Sequence, residues 1–374
     1  MAKKKKRKSL RQNFLSGRKI EARELKKNLS IKKLVDGYFQ SYNSARLSEA
    51  CQLLTRKMLK SQNSATICLT MAGALTPAGM SGMIVSMMKA GFIDFIISTG
   101  ANLYHDMHFA LGLNLHKGVF NIDDATLWKN GIVRIYDTYL GADTLIRTDK
   151  FLDQITSFEK DAPRGAISSC ELHHYIGRKL LAKAKNPEIS ILAQAAKLNI
   201  PIYTSSPGDS TLGMNMASYV PDGINLTIDP NLDVLETAAI VMCAKQNGAI
   251  ILGGGSPKNF YMQTQPMLWE CLGIERGGHD YFIQITMDSP QWGGLSGATP
   301  SEAVSWGKVN PNELQNTVVV YADVTIASPI LFSYALSEAN PRVQKKLYLR
   351  REEFMGQLKK EDKGLYWWPD YEKR

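Results

Sequence analysis

The chain has 374 residues, 44% of them hydrophobic, enough for one large α/β domain or two smaller ones around a substantial core. Its formal charge of +10 is uneven: residues 1–33 hold fourteen Lys and Arg against Glu21 and Glu24, a net of +12, which leaves −2 for the rest. Five scattered cysteines with no CxxC spacing exclude a disulfide framework or a Cys-based zinc site and fit a reduced, cytoplasmic protein.

In chain order, residues 1–33 read as a basic, flexible arm. Its "KKKKRK" run is able to bind nucleic acid, an anionic surface or an import receptor, and a solvated arm explains it equally. No apolar segment follows it as in a signal peptide. Residues 34–62 suggest one or two helices leading into the core. The uncharged stretch 61–88 is broken by Gly73, Pro77, Gly79 and Gly82, so a buried strand, turn and helix fit it better than a membrane span.

From residue 65 short apolar runs alternate with helical patterns. Strands are expected at 65–70, 94–99, 131–137, 200–205, 224–229, 248–254, 281–287 and 317–323. Helices are expected at 77–91, 103–113, 169–185, 189–198, 232–246, 257–272 and 326–338. Alternating βα units predict a Rossmann-like, doubly wound α/β fold: one mainly parallel sheet with helices on both faces. Residues 34–340 form this domain; residues 341–374 follow as a charged helix and an aromatic tail with Trp367 and Trp368.

Several predicted strands end in small residues and acids: "TMAGALTPAG", "STGANLYHD", "SSPGDSTLG", "LGGGSPK" and "YADV". Such turns let backbone N–H groups approach a phosphate at a helix N-terminus, and ligands of these sheets lie at the carboxyl ends of the strands. No turn matches GxGxxG or a P-loop. Together the five turns suggest a nucleotide, with Asp209 and Asp323 either accepting ribose hydroxyls or only capping turns. His105 and His108 lie at i, i+3 on a helix, as do Cys170 and His173, but neither group completes a metal site. His173 and His174 read as structural. His105 follows a strand-end turn and is a candidate for proton transfer.

"GATPSEAVSWGKV", followed by "VVVYADVTIASPIL" and preceded by "AIILGGG", resembles the deoxyhypusine synthase family over roughly residues 30–340. The resemblance implies a Rossmann-type homotetramer with sites at subunit interfaces. It implies NAD as cofactor, polyamine substrates, and transfer of an aminobutyl group from spermidine through a lysine imine to an acceptor amine. The acceptor is a protein lysine in deoxyhypusine synthases and a free diamine in the related homospermidine synthases. By residue, it makes Lys308 the imine-forming nucleophile, Trp306 the wall for the aliphatic amine and Glu302 an acid of the polyamine pocket. Ala72, Gly73, Ala74, Thr99, Gly100, Asp209, Gly253, Gly254, Gly255, Asp323 and Val324 align with NAD-contacting turns.

The chain departs from that pattern around the substrate. His105 stands where a glutamate is usual, Asn259 and Phe260 replace paired histidines, and Met214 (or Asn215, in a register shifted by one) and Leu295 replace acids that hold polyamine nitrogens. The cofactor and lysine machinery is kept while the amine-recognition shell is rebuilt. A free diamine acceptor is therefore expected ahead of a protein lysine. A silent NAD- or polyamine-binding protein is disfavoured by the retained Lys308.

Overall fold

The structure is a computed structural model that describes residues 10–60 and 65–364. Six strands form the central sheet: β1 Thr66–Met71, β2 Phe95–Ser98, β3 Ile202–Thr204, β4 Asn247–Leu252, β5 Tyr281–Thr286 and β6 Thr317–Tyr321. Their order is β3-β2-β1-β4-β5-β6, and every pairing is parallel. This is the doubly wound α/β arrangement, with the order reversing between β1 and β4, where a crevice opens at the carboxyl ends.

Strands β1, β4 and β5 are buried along their whole length because helices cover both faces. Alternate residues feed two cores. Ile67, Leu69, Ile250 and Ile283 point to one, and Cys68, Phe95, Ile251 and Phe282 to the other. Register is pinned by Gly248 of β4, where a Cβ would lie 2.5 Å from the Cβ of its partner Tyr281. At the amino end, Asp94 accepts from Ile67 N (2.8 Å) and pairs with Arg342 (3.0 Å), tying the chain's last third to β1.

Two predicted strands lie elsewhere. Residues 132–135 form a hairpin with 138–141, joined by His116–Lys117, and 226–228 pair with 165–167. Ile132–Ile135 is only half-buried, so it lacks the second apolar face that a central strand needs. Both pairs are excursions: the first lies between β2 and β3, the second joins residues on either side of β3.

The segment 34–62 resolves into the helices Ile31–Tyr38 and Tyr42–Leu53 with a π-turn Leu54–Met58, residues 61–64 lying outside the description. Part of the basic arm is held in place. Arg18 donates to Asp36 O, Gln40 exchanges bonds with both backbone groups of Glu21, and Tyr38 donates to Glu24 O. The "KKKKRK" run and the tryptophans Trp367 and Trp368 lie outside the described residues. The carboxyl-terminal helix is shorter than expected, Arg351–Glu361, because Pro341 and the left-handed Lys346 interrupt the chain before it. Among the described residues no helix is long and apolar enough to cross a membrane.

Candidate active site

Lys308 follows the short helix Pro300–Ser305. Thr299 caps that helix by accepting from Glu302 N at 3.2 Å. Gly307 ends it at φ +65°, and Lys308 N bonds back to Ala303 O at 3.0 Å, a stop that a glycine makes without strain. His279 N then donates to Lys308 O at 2.9 Å and Asn310 N to His279 O at 3.1 Å, fixing the lysine backbone on both sides.

The side chain enters a cavity of about 350 Å³ lined by Lys258, Asn259, Leu295, Glu302, Trp306 and Lys308, among others. Lys308 Nζ donates to Asn259 Oδ1 at 3.4 Å and sits 5.3 Å from the Trp306 ring centre. Burial lowers the pKa of this amine, and the Glu302 carboxylate draws it partly back up. A lysine so desolvated has more free amine at neutral pH, which is the form that attacks a carbonyl or imine carbon. Trp306 is 59% exposed and offers an indole face to a hydrocarbon chain. Asn259, Gln263 and Leu295 also border a second cavity of about 470 Å³ beside the first.

At the switch point, Gly73, Gly253 and Gly255 have φ of +62°, +81° and +56°, the left-handed region that favours glycine. Ala72 N bonds to Leu252 O at 3.1 Å, and a Cβ on Gly253 would lie 3.1 Å from that of Ala72. The crevice wall is thus bare backbone from Ala72–Ala74 and Gly253–Gly255, a surface that suits a pyrophosphate. Thr99 donates to Gly73 O at 2.6 Å, and at Gly100 a Cβ would strike Ser210 at 2.3 Å. Asp209 lies in an exposed turn after β3. Asp323 caps the helix beginning at Val324, its Oδ1 accepting from Thr325 N at 2.8 Å. These two acids follow opposite edge strands, five strand spacings or about 24 Å apart at the sheet.

His105 and Met214 do not line the Lys308 cavity. Met214 is exposed on the helix Thr211–Ser218. Asn215, the other residue of that register, bonds to Asp149 at 3.0 Å instead. His105 lies in an edge-on cluster with Tyr104 and His108, and burial lowers its pKa to about 4, away from the neutral range expected of an imidazole shuttle. His173 is structural: its Nδ1 meets Ile202 O at 2.9 Å and its Nε2 meets Thr204 at 3.2 Å. Among the described residues no cluster of His, Cys, Asp and Glu could hold a metal ion.

Three polar residues of the site escaped sequence reasoning. Asn102, fully buried, accepts from Leu75 N (2.6 Å) and Thr76 N (3.2 Å) and so shapes the Ala72–Thr76 turn. Lys258 reaches under the cavity to Gln284, a polar residue in the middle of buried β5. A glutamine inside "YFIQITM" was the available signal for that pair, since a buried amide needs partners.

Comparison with known proteins settles the lineage. The family profile described as deoxyhypusine synthase matches residues 33–335. The chain belongs to the deoxyhypusine synthase family. Members of this family transfer an aminobutyl group from spermidine. The chain is 46% identical over 353 residues to a deoxyhypusine synthase-like protein of Nostoc punctiforme, covering 92% of this chain and 90% of that one. It is 48% identical to the Thermosynechococcus vestitus protein of the same description, covering 88% and 84%. A "Probable deoxyhypusine synthase 2" of Methanosarcina acetivorans is 38% identical, covering 83% and 88%. Among solved structures, a proposed deoxyhypusine synthase from Entamoeba histolytica superposes with a TM-score of 0.58 at 16% identity, covering 87% of this chain and 99% of that one, and so shares the fold.

Proposed function

We propose that the chain is an NAD-dependent transferase that moves an aminobutyl group from a spermidine-like polyamine to an amine acceptor through an imine on Lys308. The observation that carries this reading is the Lys308 amine, desolvated in a cavity between Asn259 and the face of Trp306. Ala72–Ala74 and Gly253–Gly255 would hold NAD, which would supply the hydride acceptor for converting the donor's secondary amine, with loss of its N–H proton, to an imine, and the hydride for reducing the product imine. Lys308 Nζ then attacks the imine carbon. The bond to the departing diamine breaks, and the proton lost by Lys308 leaves on that diamine. Attack by the acceptor amine reverses the exchange and frees Lys308.

In this scheme Trp306 holds the methylenes, Glu302 faces the cationic nitrogens and Asn259 orients Nζ. Leu295 bounds the pocket where a carboxylate would pair a further ammonium. Its apolar side chain favours donors whose charged ends stay near Glu302 or solvent. His105, neutral above about pH 4, is assigned to accept a proton. The exposed Trp292, Leu295, Trp306 and Ile326 support a homotetramer in which a second copy covers the site. Free cysteines support a cytoplasmic setting.

A free diamine acceptor, giving a homospermidine-like product, follows from the rebuilt amine shell. A protein lysine is the second reading, and the roomier neighbouring cavity favours it. Incubating the protein with NAD and spermidine, with either putrescine or a lysine-bearing translation factor, separates the two. The first reading expects homospermidine by mass spectrometry; a four-carbon amine adduct on the factor overturns it.

A further inference from the structure

The Lys308 cavity contains a second lysine that the proposed reaction does not use. Lys258 is only 3% exposed. Its Nζ donates to Gln284 Oε1 at 3.0 Å, Ser296 O at 3.1 Å and Ala298 O at 2.7 Å. An ammonium has three N–H bonds to give, and here each has an acceptor. All three acceptors are neutral, and among the described residues no carboxylate lies within ion-pair distance of Nζ. Lys308 is placed differently. It has one long bond to Asn259 and an aromatic face.

Two ammonium groups in one small cavity repel each other, and a shared excess proton settles where acceptors await it. The other charged groups here are Glu302 on the helix Pro300–Ser305, which favours a cation at both lysines, and Asp288 after β5, which favours one at Lys258. His279, beside the Lys308 backbone, is buried and lowered to about 3, so it is neutral. We propose that Lys258 is a positioning residue for the nucleophile: its pinned ammonium keeps the proton off Lys308 and leaves that amine free to attack. This rests on the reading of Lys308 as the imine-forming residue. Burial and the neighbouring Lys308 lower Lys258 to about 8, so it remains charged at pH 7.

The test needs neither NAD nor the natural donor. Butanal and cyanoborohydride are added to the full chain from pH 6 to pH 10. The neutral amine forms a C–N bond and the carbonyl oxygen leaves as water. Hydride from cyanoborohydride, with a proton from solvent, then reduces the imine to a stable butyl amine. Mass spectrometry of the Lys308 peptide gives the pH midpoint of labelling.

Lys258→Gln and Lys258→Met should raise that midpoint by about one to two pH units, the size of a unit-charge interaction across roughly 6–12 Å at an effective dielectric near 20. Labelling at pH 7 then falls roughly 10- to 100-fold. Lys258→Arg, which keeps the charge, should hold the wild-type midpoint, and Glu302→Gln should lower it. The methionine variant answers the question if the glutamine variant does not fold. An unchanged midpoint in the neutral variants, or an arginine variant that labels like them, overturns the inference. Absence of Lys308 labelling in the wild type at any pH overturns the nucleophile reading itself, and this inference with it.

Discussion

Gly254→Ala should damage the site with little change elsewhere, and the structure sets the size of the effect. Gly254 is the N-cap of the helix Gly255–Pro266. Its new Cβ would lie 2.5 Å from both Cα and Cβ of Ser296. Carbon atoms rest at about 3.5–4.0 Å, so the Ser296 loop must retreat by about 1 Å. Ser296 accepts from Gly255 N at 2.8 Å, Lys258 Nζ at 3.1 Å and Gln284 Nε2 at 2.7 Å. A retreat of that size takes most of these bonds past the useful range. Overpacking costs about 1–3 kcal/mol, measurable by urea unfolding. The loop also carries Leu295 and leads into the helix with Glu302, so the KM for the amine donor should rise about tenfold. Gly82→Ala is the control: nothing lies within 4 Å of its Cβ, and in the helix Ser81–Lys89 alanine should add about 0.5–1 kcal/mol. A Gly254→Ala protein as stable as the wild type, with an unchanged KM, would refute the reasoning.

Other outcomes follow from the same geometry. Trp306→Ala should raise the donor KM about tenfold by removing the indole wall, with little packing lost inside the protomer, where the ring is largely exposed; steady-state kinetics and urea unfolding at protein concentrations too low for subunit association check both. His105→Ala should remove a pH–rate limb near pH 4, and a limb lost near pH 6.5 instead would mean that the imidazole is not buried in the working enzyme. His173 and His279 are buried and lowered to about 4 and about 3, below the unfolded value of about 6.5, so the unfolded chain binds protons that the folded chain refuses. Their contribution is whole above pH 6.5 and is lost as pH falls through 6.5 towards 4, by up to about 1.4 kcal/mol per pH unit for each. Urea titrations at pH 7, 5.5 and 4.5 should show this slope. Deleting residues 1–12 should leave turnover intact in a steady-state assay, since that segment lies far in sequence from every site residue.

Much of this was written in the sequence where the physics is local. Strands such as "ATICLT" and "GAIILGG" are apolar on both faces and lie within one or two residues of β1 and β4. The two strands assigned to the wrong sheet were "GIVRIYD" and "INLTID", whose polar alternation marks a half-covered surface but does not say which sheet supplies it. The "EAVSWGK" block was legible because a capped helix, a glycine stop and the lysine are contiguous in the chain. Lys258 and Gln284 were not, because their meeting depends on β4 and β5 being neighbours. His105 looked poised for neutral-pH chemistry because burial, which lowers its basicity, is a property of the fold and not of its local segment.

The most direct measurement of the central claim is borohydride trapping on the protein with NAD and spermidine. The account predicts a four-carbon amine adduct on the peptide carrying Lys308, absent without NAD and absent in Lys308→Arg, whose guanidinium stays protonated. An adduct on any other lysine, or none with spermidine and related polyamines, would contradict it.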